Sequence, residues 1–146
     1  MINGFLKGGS RFYISGGYNF VDVRDVASGL IAAAEKGKLG EGYLLCGEAV
    51  SLERLFAGLK AASGLKHTTF RLPYWMALPG AYVAEYVAVK RKQTPYFTPY
   101  SLQTLRSNHE VDLSKSAEEL DYRPRPFEQS ICDTVKWFRG EEVSPF

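Results

Sequence analysis

Apolar residues recur at helical spacing through Val26, Ala27, Leu30, Ile31 and Ala34, and the stripe runs out at Lys36 with Gly37 behind it. That spacing predicts an amphipathic helix, with Asp25 in front of it as the N-cap candidate. Upstream, Gly4, Gly8, Gly9, Gly16 and Gly17 divide residues 1–18 into short apolar pieces separated by turns. Phe20-Val21-Asp22-Val23 then alternates apolar and polar positions, the period of a short strand. Beyond the Gly40-Glu41-Gly42 turn, Tyr43-Leu44-Leu45-Cys46 is a compact apolar run closed by Gly47. Such a run has the pattern of a strand buried in a parallel sheet.

Ser51 is placed to cap a second helix, whose inner stripe is Leu52, Leu55, Phe56, Leu59 and Ala62 and whose stop is Gly64. Thr68 to Leu72 reads as a strand ended by Pro73. Tyr74 to Lys92 is helical in pattern, with a break expected at Pro79-Gly80, where proline removes a donor. Thr98-Pro99 opens a helix with proline at its favoured first position, and Ser114 or Ser116 opens a short one that reaches Leu120. The last helix shows Phe127, Ile131, Val135 and Phe138 on one face before Gly140. The sum is an α/β chain, helix-rich with a few short strands and without repeats or linkers, so residues 1–146 form one domain. One feature does not fit a self-sufficient fold. A buried strand at Tyr43–Cys46 needs neighbours on both sides, and the chain offers few, so sheet partners from outside it are expected.

Composition narrows the classes. Hydrophobic residues make up 45% and charged residues 23% of the 146, which excludes disordered and fibrous chains. No apolar run reaches the roughly 18 residues of a membrane span, and the N-terminus lacks the charge-then-apolar order of a signal peptide. A cytoplasmic protein without a membrane partner is expected. A net charge of +2 with scattered basic residues argues against nucleic acid, and Lys90-Arg91-Lys92 reads as cations at a helix C-terminus. Cys46 and Cys132 lack ligand spacing, and His67 and His109 sit in no motif. Metal chemistry and disulfides are therefore not expected, and both thiols are read as reduced and buried.

Several stretches, in order, resemble one family. Asn19-Phe20-Val21-Asp22-Val23-Arg24-Asp25-Val26-Ala27-Ser28-Gly29 is similar to a strand-to-helix segment in the second half of the extended short-chain dehydrogenase/reductases. Gly42 to Glu48 with Val50-Ser51-Leu52 resembles the strand, turn and helix start that follow it there. Leu72-Pro73, the helix around Glu85, and Thr94-Pro95 with Phe97-Thr98 resemble the dihydroflavonol reductase-like branch, within the NAD-dependent epimerase/dehydratase enzymes. Lys115 to Arg125 looks like that branch's lysine-anchored segment, and Thr134 to Phe138 like its terminal helix. The resemblance covers nearly the whole chain and implies the C-terminal, substrate-binding portion of an extended Rossmann-type reductase that lacks most of the parallel sheet.

In that family the nucleotide-binding half carries a glycine-rich turn for the pyrophosphate and a Tyr-x-x-x-Lys pair in which lysine lowers the tyrosine pKa. Neither stands ahead of the matched stretches here. The resemblance therefore implies NAD or NADP in a complete parent enzyme, none bound to this chain, and no catalytic, cofactor-binding or metal residue in it. Two local patterns imitate those motifs. Tyr86-x-x-x-Lys90 lies in the capping-helix region and reads as a surface i,i+4 pair. Gly37-x-x-Gly40-x-Gly42 follows a helix and leads into a strand, the reverse of a phosphate turn. Arg24 is read as a structural ion pair, and Arg123 and Arg125 as a solvated turn around Pro124. Asp121 stands where the family has glycine, in a turn that tolerates a left-handed residue.

The residues expected to contact substrate are Tyr18, Asn19 and Phe20 in the first half and Tyr96, Phe97 and Tyr100 in the second. The arginine that clamps nucleotide phosphates in sugar-nucleotide enzymes is missing before Phe20, with Arg11 too early to replace it, which favours a smaller carbonyl or hydroxyl compound. The parent reaction implied is hydride transfer to or from such a carbon, with the chain inactive alone. The alternatives are a non-catalytic binding or assembly module of the same fold, and a piece of a sugar-nucleotide epimerase/dehydratase. Self-association is expected through the surface that a missing half would cover.

Overall fold

A computed structural model describes residues 2–9, 12–91, 98–107 and 110–143. The elements run α1 (Ile2–Leu6), β1 (Phe12–Ile14), β2 (Gly17–Phe20), α2 (Val23–Lys36), β3 (Glu48–Ser51), α3 (Leu52–Ser63), β4 (Phe70–Leu72), α4 (Tyr74–Lys90), α5 (Pro99–Thr104), α6 (Ser114–Leu120) and α7 (Phe127–Phe138). The strands form two separate pairs. β1 and β4 are parallel, with Phe12 opposite Phe70 and Ile14 opposite Leu72. β2 and β3 are antiparallel, from Gly17 opposite Ser51 to Phe20 opposite Glu48. The expected helix-rich α/β architecture with few short strands is what the chain adopts.

α3 is the central element. Its Leu55, Phe56 and Leu59 are buried against Phe5 of α1, Val50 of β3, Leu102 of α5, and Ile131 and Val135 of α7. Rings tie the cluster together: Phe5 and Phe56 have centroids 5.5 Å apart, and Phe20 and Phe127 6.1 Å. A smaller packed region holds Leu120 and Tyr122 beside α2, where a Cβ on Gly29 would press on the Leu45 side chain.

Local chemistry explains the boundaries. Ser51 caps α3 by accepting from the Arg54 N–H at 3.2 Å, and Gly64 ends it in the left-handed region. Thr98 and Ser101 form a reciprocal capping box at the start of α5, with Pro99 at the first helical position. Asp121 closes α6 with φ 54°, the one non-glycine positive φ among the described residues.

Several expectations need correction. The cap of α2 is Asp22: its extended backbone precedes Val23 and its Oδ1 accepts from the Arg24 N–H at 3.0 Å, within reach of the second helical residue, as Asp25 is not. The strand before it accordingly ends at Phe20. Pro79 does not break α4, which runs unbroken from Tyr74 to Lys90; the ring removes a single donor and the remaining turns carry the helix. Cys132 is exposed, since it lies on the outer face of α7, and both thiols are free. Tyr43–Cys46 forms no strand, because no ladder partner lies beside it among the described residues. Arg125, read as solvated, is instead mostly buried in an ion pair with Asp25. α1 and β1, with no period long enough to read, are the short apolar pieces expected between the glycine turns.

Candidate functional site

An apolar cavity of about 310 Å³ lies between the parallel pair and α4. Phe12 and Ile14 of β1 and Leu72 of β4 form one wall, and Leu102 and Leu105 close the end. α4 makes the other wall with Ala77, Gly80, Ala81 and Ala84, small residues three and four apart that share one helix face. Among the described lining residues, Tyr13 alone carries a side-chain oxygen or nitrogen. A concave space of this size and character holds an apolar group and supplies no paired acid and base for chemistry.

The stretch that most resembles the reductases is an ionic hub. Arg24 donates from Nε to Asp22 Oδ1 at 2.9 Å and from Nη2 to Asp22 Oδ2 at 2.7 Å, and reaches Asp133 of α7 at 2.8 Å. The Arg24 guanidinium holds the Asp22 carboxyl well below the usual carboxylate range, against the opposing effect of burial. Asp25, buried in the first turn of α2, accepts from the Arg125 backbone N–H at 2.9 Å and from its Nε at 2.7 Å. Arg24 is thus the structural ion pair expected of it, and these residues fasten α2 to α7 and to the turn at 123–126.

The segment 42–47 is held in an unusual way. The Gly42 carbonyl accepts from Lys115 Nζ at 3.1 Å, the Leu44 carbonyl from Ser116 Oγ at 2.7 Å, and the Cys46 carbonyl from Tyr122 Oη at 3.1 Å. Burial, followed by the nearby Asp25 charge, pushes the Tyr122 phenol up to about 12, so it stays a donor at neutral pH. Carbonyls of alternate residues face one way in an extended chain, so α6 and Tyr122 occupy one edge of this segment. The opposite edge carries the main-chain groups of Tyr43 and Leu45, which make no hydrogen bond to described residues. Glu119 also binds Tyr43 Oη at 2.6 Å and Lys38 Nζ at 2.8 Å, fixing the loop over α6.

The sequence-derived site residues do not converge. Asn19 is engaged by the main chain of one residue: its Nδ2 donates to the Gly47 carbonyl at 3.2 Å and its Oδ1 accepts from the Gly47 N–H at 2.9 Å. A Cβ on Gly47 would overlap the Phe20 carbonyl, so only glycine lets these strands approach. Tyr18 and Phe20 are half-buried and stack edge to face at 6.1 Å, and burial pushes the Tyr18 phenol up. None of the three lines the cavity. Tyr100 is exposed on α5, the helix that brings Leu102 to the cavity. Tyr96 and Phe97 lie outside the described residues, as do Arg11, Lys92 and His109. Tyr86 and Lys90 share a face of α4, with the ammonium 4.7 Å from the ring centroid. The cavity itself was missed; the spacing of Ala77, Gly80, Ala81 and Ala84 was the signal that could have found it.

No described strand-to-helix junction fits a dinucleotide. Asp22 puts a carboxylate at the start of α2, the Ser51 hydroxyl is occupied at α3, and Pro73 precedes α4. No glycine-rich turn stands at any of them, so no step through NAD or NADP is derived for this chain.

No family model matches the chain. Individual proteins do. It is 31% identical over 140 residues to a Synechocystis protein provisionally named dihydroflavonol 4-reductase, covering 93% of this chain and 41% of that one. It is 29% identical over 138 residues to sterol demethylase protein B of Methylococcus capsulatus, covering 92% and 42%. The crystal structure of gox2253 superposes with a TM-score of 0.74 at 34% identity, over 96% of this chain and 42% of that one. The matched region is the C-terminal part of these larger proteins. The chain is similar to this C-terminal part. A nucleoside-diphosphate-sugar epimerase from Pseudomonas aeruginosa shares the fold at TM-score 0.68 and 21% identity, over 95% of this chain and 41% of that one. The chain thus spans about two fifths of the length of the curated relatives it matches.

Proposed function

We propose that this chain is the substrate-binding part of an NAD(P)-dependent oxidoreductase that moves hydride to or from a carbonyl or hydroxyl carbon, and that it has no turnover alone. The observation that carries the reading is the apolar cavity walled by β1, β4, α4 and α5 in a chain 31% identical to part of a larger protein named for a reductase. Its walls suit a ring-bearing apolar carbonyl compound, in keeping with the dihydroflavonol and sterol in the names of the two curated relatives. A sugar nucleotide would need cationic clamps for its phosphates, and the described residues of the cavity lining include no Arg or Lys. Tyr100, with Tyr96 and Phe97 ahead of it, is proposed to meet the substrate at the α5 end. Tyr18 and Phe20 are proposed to meet it from β2, and Asn19 to hold the Gly47 turn behind them.

The reading also assigns a task to the open edge at Tyr43–Cys46. Leu45 packs on Gly29 of α2 on one face, and its unpaired main chain is ready to extend a parallel sheet carried by a nucleotide-binding part. Catalytic groups and cofactor belong to that part. Titration of the chain with ring-bearing ketones, followed by calorimetry, tests the cavity: binding is expected in the wild type and weaker binding in Ala84→Phe, which fills the wall. Equal binding by both would remove the cavity from the reading.

A further inference from the structure

α4 has its residues in the reverse of the usual order. The small residues Ala77, Ala81 and Ala88 are buried, whereas Trp75, Tyr82, Tyr86 and Val89 are 60–73% exposed. With Pro79, these large residues stand at 75, 79, 82, 86 and 89, intervals of four and three that form one stripe along the helix. An uninterrupted outward apolar stripe of this length is not ordinary surface. Its edges are cationic. Exposed Arg71 precedes the helix, exposed Lys90 and Arg91 end it, and exposed Arg106 lies 4.9 Å from the Tyr74 ring centroid. Glu85 is the single acid on α4.

We propose that this face of α4 docks the chain on an anionic phospholipid surface. Tryptophan and tyrosine rings favour the headgroup boundary, valine the region beneath it, and flanking Lys and Arg the phosphates. No described helix is long and apolar enough to cross a membrane, so α4 lies along the surface. The face is distinct from the open edge proposed to receive a nucleotide-binding part: the residues around that edge, Gly29, Lys115, Ser116 and Tyr122, belong to α2, α6 and the turn after it. Met76 is half-exposed and also lines the cavity, so an apolar compound dissolved in lipid has a short path to it.

The test uses the 146-residue chain with Trp137→Phe, which leaves Trp75 as the one tryptophan. Vesicles of phosphatidylglycerol and phosphatidylcholine are expected to sediment the protein and shift Trp75 emission to the blue, and 0.5 M salt to release it. Pure phosphatidylcholine is expected to bind at least roughly tenfold less, as is the Lys90→Glu/Arg91→Glu variant on anionic vesicles, since each cation near such a surface counts for about 1 kcal/mol. Circular dichroism unchanged in that variant shows that it is folded. Failure to sediment with anionic vesicles overturns the proposal. So does equal binding to neutral ones, or a Trp75 already shielded from iodide in lipid-free protein, which would mean that a second copy covers the face.

Discussion

Removing the Asp25 carboxylate is the sharpest test of the ionic hub. In Asp25→Ala two bonds disappear, from the Arg125 N–H at 2.9 Å and from its Nε at 2.7 Å, and the Arg125 side chain, 16% exposed in the wild type, keeps Asp22, 4.0 Å away, as counter-charge. Hydrogen bonds to a charged group contribute about 1.5–3 kcal/mol each; at the lower end, suited to a pair that still meets some solvent, the loss is about 3 kcal/mol. That corresponds to a fall in Tm of roughly 6–12 °C for a domain of this size. Arg125→Ala removes only the side-chain bond and keeps the backbone one, so it should cost about half as much. The double variant should match Asp25→Ala, and the cycle then isolates the side-chain pair at about 1.5 kcal/mol. Urea unfolding followed by circular dichroism supplies the values, with Arg123→Ala, an exposed arginine paired only to Asp121, as the control. If Asp25→Ala costs no more than Arg123→Ala, the hub does not hold α2 in place and the reasoning is wrong.

The remaining predictions concern charge, close approach and helix content. Asp22 has a lowered pKa in the folded chain, so its contribution is complete above the ordinary carboxylate range and is lost as pH falls through and below it. The drop in unfolding free energy between pH 5 and pH 2 should be smaller in Asp22→Asn than in the wild type, and an identical drop would show that Arg24 does not hold this carboxyl. Gly47→Ala should be strongly destabilising because its Cβ meets the Phe20 carbonyl, while Gly42→Ala, with open space around it, should be nearly neutral in the same urea experiment. Gly80→Ala should raise stability by about 0.5–1 kcal/mol, since the residue lies inside α4 with nothing near its Cβ position. Light scattering should show the isolated chain self-associating, and a lower association number for Leu45→Pro that remains folded would place the contact at the open edge.

Elements with a chemical start and stop were legible in the sequence. Ser51 and Gly64 bracket α3, and Thr98-Pro99 opens α5, because capping is decided by residues three or four apart. Long-range pairings were not. Asp25 looks like a cap until Arg125, one hundred residues later, takes its carboxylate. β1, three residues long, is too short for a period to show, and the strand read at 68–72 carried no sign of its parallel partner. Tyr43–Cys46 illustrates the opposite failure: its strand pattern is genuine, but hydrogen bonds require a partner that the described chain does not offer. The candidate site was read from aromatic residues, whereas the cavity is made by the small ones on α4, which take up little space and so create it.

The central claim is that this chain binds substrate and leaves hydride transfer to a nucleotide-binding part. Fusing it in place of the matched C-terminal region of the Synechocystis relative, and following NADPH absorbance with ring-bearing ketones, tests that claim most directly. The account predicts turnover by the fusion, slowed by Ala84→Phe in the cavity wall, and none by the 146-residue chain alone. Turnover by the chain alone, persisting in Tyr86→Phe, would contradict it, as would a folded, NADPH-binding fusion that reduces none of the ketones.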